Sequence, residues 1–226
     1  MNQYAHITYQ DIVNNEAVRT YIQSGNDALG VLGFTEHGFA HAAKTAETAA
    51  YILEGIGADA RTIELARIAA YMHDCGNMVN RNLHALTGSV IAFRTLDRLN
   101  MPPHEVAQIT TAIGNHDEGT GTAVSRIAAA VILADKSDVR RSRVRNNSLD
   151  QLEHDIHDRV NYAVRSSKLL FGDTSDTLEL YLDIDTAVCP VMDYFVIFTE
   201  RMLMCKSAAK FLGLTFGLNI NGTQLL

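Results

Sequence analysis

The chain has 226 residues, 47% of them hydrophobic, and a formal net charge of −7. That is enough apolar material for a core and suits one domain, with or without a small appendage; an acidic chain without tryptophan offers no basic, aromatic face for nucleic acid or for an anionic membrane. Three cysteines, Cys75, Cys189 and Cys205, form neither an even set nor a C-x-x-C pair, which speaks against a disulfide framework and for a reducing compartment. The opening MNQYAHITYQ has no basic stretch followed by an apolar one, so no signal peptide is expected and the expected location is cytoplasmic. The stretch VMDYFVIFTERMLM carries Asp193, Glu200 and Arg201 and is too polar to span a bilayer.

In chain order, DIVNNEAVRTYI reads as a short helix that ends before SGNDALGVLG. A second helix runs from about Glu36 to Gly55, and Asp59 caps a third, ARTIELARIAAYMHD, closed by Gly76 and Asn77. ALTGSVIAFRTLDRL follows, with Leu86, Val90, Phe93 and Leu96 at helical spacing. Pro102 and Pro103 start a fifth helix with the stripe Val106, Ile109 and Ile113. AVSRIAAAVILADKSDV repeats the pattern through Val124, Ile127, Ala128, Val131 and Ala134. After about residue 155 the period shortens. VNYAVRSSKLLF and TLELYLDI alternate as strands about a GDTSD turn, Pro190 opens a long helix, Gly213 ends it, and LTFGLNI is a last strand. The fold class expected is mainly α, a helical bundle over residues 1–150 with a small β-β-α-β unit over 151–226.

Several polar residues do not suit the apolar stripes beside them. His41 lies in the second helix, His73 and Asp74 close the third, and His84 stands at the start of the fourth. His116 and Asp117 end the fifth, and Asp135 lies on the buried stripe of the sixth. A buried carboxylate without a partner costs several kcal/mol. A divalent cation removes that cost and keeps imidazoles neutral. His104, His154 and His157 sit in polar segments and His6 near a terminus, where solvated roles are expected. His37, one turn before His41, is left open between a supporting role and a pairing with Glu36.

The order His41, His73-Asp74, Asp135 resembles the HD superfamily of metal-dependent phosphohydrolases, whose signature is H…HD…D. HAAKTAETAAYI, AAYMHDCGN and AAAVILADKSDV are similar to its three metal helices, and His84 and His116 to the additional ligands of its two-metal members. The resemblance covers about residues 36–145 and implies an HD-type bundle. The chain departs from the branch that degrades cyclic dinucleotides: Asp117 replaces a histidine, no GYP follows, and Asn77 stands where a lysine is common. That specificity is not carried over. Cys75 stands where relatives carry Ile or Leu and reads as a small core residue.

The expected activity is hydrolysis of a phosphate ester of a small molecule or nucleotide by metal-activated water. One ion would be held by His41, His73, Asp74 and Asp135, and a second by His84 and His116 with Asp74 bridging. His84 and His116 could instead donate to substrate phosphate. Divalent ions, two of them, are expected, Fe or Mn ahead of Zn, Ni and Co. Asp117 is a candidate proton carrier or a support for His116, or a solvated helix end. In DKSDVRRSRVR most cations read as a solvated face with pairs to Asp138 and other carboxylates, but Lys136 and Arg140 are the candidates to meet substrate phosphate, Lys136 with a catalytic role. No G-x-S-x-G or phosphate-cradling glycine loop offers another chemistry. The alternative is a non-catalytic module that binds a phosphorylated ligand and regulates through its C-terminal unit. That unit is expected to be structural and to join two copies, because its strands leave edges. Neither nucleic acid nor membrane is expected as a partner.

Overall fold

A computed structural model describes residues 4–145, 155–172, 174 and 176–226. It is mainly helical, with a small four-stranded sheet near the C-terminus. The boundary expected at residue 150, His154, and parts of the GDTSD turn lie outside the described residues.

Helix α1 (Tyr9–Asn14) starts at a capping box, in which the Thr8 hydroxyl and the Asp11 carboxylate each take the other's backbone N–H. Asn15 ends it and caps α2 (Glu16–Val31) by accepting from Val18 N. The expected single short helix is therefore two, and the second runs through SGNDALG instead of stopping before it. Gly25 is buried, and a Cβ there would lie 3.1 Å from Met78 N. Tertiary packing thus uses the glycine for close approach, at a helix-propensity cost of about 1 kcal/mol.

Helix α3 (Phe39–Gly55) begins three residues later than the sequence suggested. The Glu36 carboxylate is turned back to accept the Gly38 N–H at 2.6 Å, which leaves Thr35–His37 as connecting backbone. Helix α4 (Ala60–Met72) is capped by Asp59, as expected, and passes into a 3-10 turn over His73–Met78. Helix α5 (His84–Arg98) corrects the apolar pattern. Leu86, Val90 and Phe93 face solvent, while His84, Ala85, Gly88, Ala92 and Leu96 are buried. The 3-10 turn needs small partners: a Cβ on Gly88 would lie 3.1 Å from His73 O, and one on Gly76 would overlap His84 O at 1.9 Å. Backbone proximity, not side-chain volume, chooses the buried face.

Helix α6 (Pro103–Gly114) has its Pro at the first turn. Helix α7 (Arg126–Lys136) is capped by Ser125, so Val124 lies outside it and is exposed. Ile127 through Ala134 are all buried, so α7 is the axis of the bundle, packed by α3, α4 and α6. A 3-10 turn follows at Arg141–Arg143. Helix α8 (Ile156–Ala163) takes up VNYA, which the alternation had placed in a strand; Asp155 caps it. Strand β1 (Val164–Phe171) pairs antiparallel with β2 (Thr177–Ile184). Helix α9 (Val191–Phe211) crosses over to β3 (Thr215–Ile220), which is parallel to β2. A two-residue β4 (Thr223–Gln224) adds a strand beyond the expected β-β-α-β.

Helix α9 packs against both β3 and α7. The three cysteines are buried and unpaired. Among the described residues no helix is long and apolar enough to cross a membrane.

A candidate two-cation centre

Five elements aim polar side chains at one point beside α7. His41 comes from the first turn of α3, His73 and Asp74 from the 3-10 turn after α4, and His84 is the first residue of α5. His116 follows α6, and Asp135 lies near the end of α7. Leu83, just before His84, has φ 60°. A left-handed leucine costs about 1–2 kcal/mol, and it turns the chain so that α5 begins on an inward histidine.

The ligand-type atoms form two groups about the oxygens of Asp74, and a third combination, His73, His116 and Asp135, overlaps both. His41 Nε2 is 3.3 Å from His73 Nε2, 3.3 Å from Asp135 Oδ1 and 3.7 Å from Asp74 Oδ2. His73 Nε2 is 3.2 Å from Asp74 Oδ2 and 3.6 Å from Asp135 Oδ1. In the second group His84 Nε2 is 3.1 Å from His116 Nε2 and 3.4 Å from Asp74 Oδ1, with His116 Nε2 3.9 Å from that oxygen. Asp74 therefore turns one oxygen to each group. Ligands about 2.1 Å from a tetrahedral ion lie ~3.4 Å from one another, so the first group has the spacing an ion needs.

Hydrogen positions sharpen the argument. Each of the four rings commits Nδ1 to an oxygen: His41 to Asp138 Oδ2 at 2.8 Å, His73 to Ala70 O at 2.6 Å, His84 to Arg81 O at 3.0 Å and His116 to Ile113 O at 2.6 Å. A ring nitrogen facing an acceptor oxygen carries the hydrogen, so each neutral ring presents a bare Nε2 lone pair. Those lone pairs meet one another and carboxylate oxygens, which repels. Asp74 Oδ2 is buried and has no hydrogen-bond partner. Cations in the two groups would convert both repulsions into ligation, and the donor set, imidazole with carboxylate, suits first-row divalent ions. Without a cation, protons must stand in. Burial opposes charge on His73, but Asp74 and Asp135 overcome it and raise its pKa to about 10. Burial and the His73 charge push His116 down to about 3.

Outer contacts fix the carboxylates. Lys136 Nζ lies 2.7 Å from Asp135 Oδ2 and 2.9 Å from Glu118 Oε2, and Glu118 Oε1 takes Arg201 Nε at 2.6 Å. Burial raises the Glu118 pKa, but Lys136 and Arg201 hold it down at about 2. Asp74 Oδ1 accepts from Asn77 Nδ2 at 2.9 Å.

A cavity of about 290 Å³ opens over Asp74, His84 and Asp135. Arg81, Lys136, Arg143 and Arg201 supply its cations, and Phe34 and Phe198 its apolar walls. His37 and His157 also line it. His37 donates from Nδ1 to Thr35 O at 2.7 Å and does not pair with Glu36.

The structure brings all six candidate ligands together. Lys136 lines the cavity, but its ammonium is engaged by two carboxylates. Asp117 Oδ1 lies 3.9 Å from His84 Nε2, with its side chain a quarter exposed. Arg140 is not brought to the cavity: its guanidinium bonds Asp138 and Ser142. Sequence reasoning missed Arg81, Glu118, Asp138 and Arg201. Arg81 and Arg201 carried no pattern that marks them. Asp138 did: in DKSD it stands three residues after Asp135, which places two carboxylates one turn apart at the end of a buried helix.

A family model described as HD domain matches residues 38–160. The uncharacterized protein MJ1020 of Methanocaldococcus jannaschii is 28% identical over 160 residues, 61% of this chain. The chain likewise spans 61% of the length of that curated relative. Among solved structures, the crystal structure of a predicted HD superfamily hydrolase from an uncultured Thermotogales bacterium is 23% identical and covers 54% of this chain and 68% of its own, with a TM-score of 0.42.

Proposed function

The chain belongs to the HD domain family, and from that premise we propose that it is a metal-dependent phosphohydrolase cleaving a phosphate ester of a small molecule or nucleotide. The observation that carries the reading is the convergence of four Nε2 atoms and two carboxylates in overlapping groups of metal-ligand spacing, with a buried Asp74 oxygen left unbonded. His41, His73, Asp74 and Asp135 would hold one divalent ion, and His84, His116 and the other Asp74 oxygen a second; Fe and Mn lead the candidates. Bound there, such ions make water acidic near neutral pH and draw charge from a phosphoryl oxygen.

The chain's own residues supply the rest. Lys136 and Glu118 hold Asp135 so that Oδ1 faces His41 and His73. Arg81 reaches the cavity over the Phe34 ring and lies 3.4 Å from Asn77 Oδ1 and from His84 Nε2, with no carboxylate in ion-pair range among the described residues. Its fork is available to two oxygens of a phosphate. Arg201, across the cavity, has one nitrogen on Glu118 and stacks on Phe198, which leaves it a second grip. These two replace Arg140 as the phosphate-binding arginines of the reading. Phe34 and Phe198 give an organic group an apolar surface. Asp117 is positioned to exchange a proton near His84. A cytoplasmic location and a homodimer formed through the C-terminal unit belong to the same proposal.

The test is turnover of p-nitrophenyl phosphate and bis-p-nitrophenyl phosphate with added Mn²⁺. The wild type should hydrolyse at least one of them, and Asp74→Asn should lose ~100-fold or more. A wild type inert toward a broad panel of phosphate esters, yet binding them, would make it a binding module.

A further inference from the structure

We propose that Asp138 is a positioning residue for the first cation group, fixing the tautomer of His41, and that Lys44, Arg140 and Arg143 hold this carboxylate in place. The inference rests on the two-cation reading. Asp138 is 1% exposed, and its Oδ2 lies 2.8 Å from His41 Nδ1. Its Oδ1 takes Lys44 Nζ at 3.0 Å and Arg140 Nε at 2.8 Å. Arg143 Nη1 donates to the Asp138 carbonyl at 2.7 Å and stands 3.8 Å from Oδ2. Three cations from α3 and the segment after α7 thus surround one buried carboxylate, whose Oδ2 is shared between His41 Nδ1 at 2.8 Å and the more distant Arg140 Nη2 at 3.4 Å.

The consequence is chemical. A carboxylate can only accept, so Nδ1 of His41 must carry the hydrogen and Nε2 must be bare. Nε2 is the atom that faces His73, Asp74 and Asp135. An acceptor behind a ligating imidazole also makes it a stronger donor. The other three imidazoles are held by backbone carbonyls, which no side-chain substitution removes. His41 is the one whose orientation depends on a side chain. This accounts for cations that a purely solvated face would not need to bury: Arg143 is 4% exposed.

Asp138→Asn isolates the effect because it keeps the shape. If the amide oxygen faces His41, its NH₂ faces Lys44 and Arg140, donor against donor. If the NH₂ faces His41, Nδ1 must accept and the hydrogen moves to Nε2, the ligating atom. Either way the first group suffers and the second, around His84 and His116, does not.

Zn²⁺ affinity by chelator competition is the readout, with long-range ¹H–¹⁵N correlation of the imidazoles in zinc-free protein. Asp138→Asn should weaken one class of bound Zn²⁺ about 10–100-fold, leave the other within about twofold, and lose the Nδ1-protonated signature of His41. Should that variant fold poorly, Lys44→Met and Arg140→Met, which alter partly exposed side chains, should each weaken the same class about threefold or more. Wild-type affinity for both classes in a folded Asp138→Asn, or in both methionine variants if it does not fold, would overturn the role of Asp138. A wild type that binds no Zn²⁺ would instead overturn the cation reading beneath it.

Discussion

Lys136 holds its ammonium between Asp135 and Glu118 in a site where it is 4% exposed. A lysine so engaged has little left for a phosphate, whereas Arg81 has no competing carboxylate. The two should therefore separate kinetically. Lys136→Ala leaves Asp135 Oδ2 without its cation, Arg201 remaining on Glu118, and should weaken metal retention about 10-fold. Arg81→Ala keeps the backbone carbonyl that orients His84, so metal content should stay at the wild-type level while KM rises about 10-fold. Metal analysis beside steady-state kinetics checks both, and a KM change in Lys136→Ala with full metal content would return Lys136 to the substrate. At this scale the site was legible where chemistry and burial disagree. A histidine or aspartate on an alanine-rich stripe has no packing role, which marks His41, His73, Asp74, His84, His116 and Asp135. Arg140 and Arg143 looked alike in sequence, because nothing in a run of arginines says that both will meet Asp138 and that Arg143 will also line the cavity.

Among the elements, α4 and α6 are joined by a bidentate pair at the edge of the bundle. Arg61 Nε and Nη2 bond the two oxygens of Glu105 at 2.7 and 2.5 Å, and Nη1 bonds Ile7 O at 2.9 Å, which ties the segment before α1 to the same point. The Arg61 hydrogen bonds lower the Glu105 pKa against the effect of burial. A folded pKa below the unfolded one means that the contribution is complete above the ordinary glutamate range, about 4.3, and is lost as pH falls through the lowered folded value. Glu105→Gln should accordingly cost about 2 kcal/mol near neutral pH, and the gap in denaturant stability should close in acid once Glu105 of the wild type is protonated. A gap that widened in acid would contradict the assignment. Helix existence was readable from periodicity, but faces were not always. On α5 the large apolar residues Leu86, Val90 and Phe93 point outward because Gly88 must meet the backbone of the 3-10 turn. Close backbone approach leaves no hydrophobic signature, so a stripe chosen by size selects the wrong side. The same holds for α2, where Gly25 reads as a stop but is a contact.

Over the whole molecule, the cavity draws on both ends of the chain. Phe198 and Arg201 of α9, with His157 and Asn161 of α8, line it beside residues of the helical bundle. The unit expected to be only structural therefore contributes a wall, and the 2.6 Å contact of Arg201 with Glu118 links it to the group that supports Asp135. Long-range pairings of this kind have no local pattern in sequence. The association surface proposed for this unit rests on exposed Leu170 and Tyr181 on the sheet and on Met192, Val196 and Leu203 along α9. Sedimentation should show a dimer that Val196→Asp with Leu203→Asp converts to monomer; a wild type monomeric at high concentration removes that part of the proposal.

The claim on which the rest depends is that Asp74 joins two cation groups. Metal content of anaerobically purified protein tests it most directly, with wild type set beside Asp74→Asn, His84→Ala and His116→Ala. The account predicts about two ions per chain in the wild type, about one in each histidine variant and far less than one in Asp74→Asn, with helical content retained throughout. One ion in the wild type and in both histidine variants would make His84 and His116 partners of the substrate. Full metal content in folded Asp74→Asn would contradict the account at its centre.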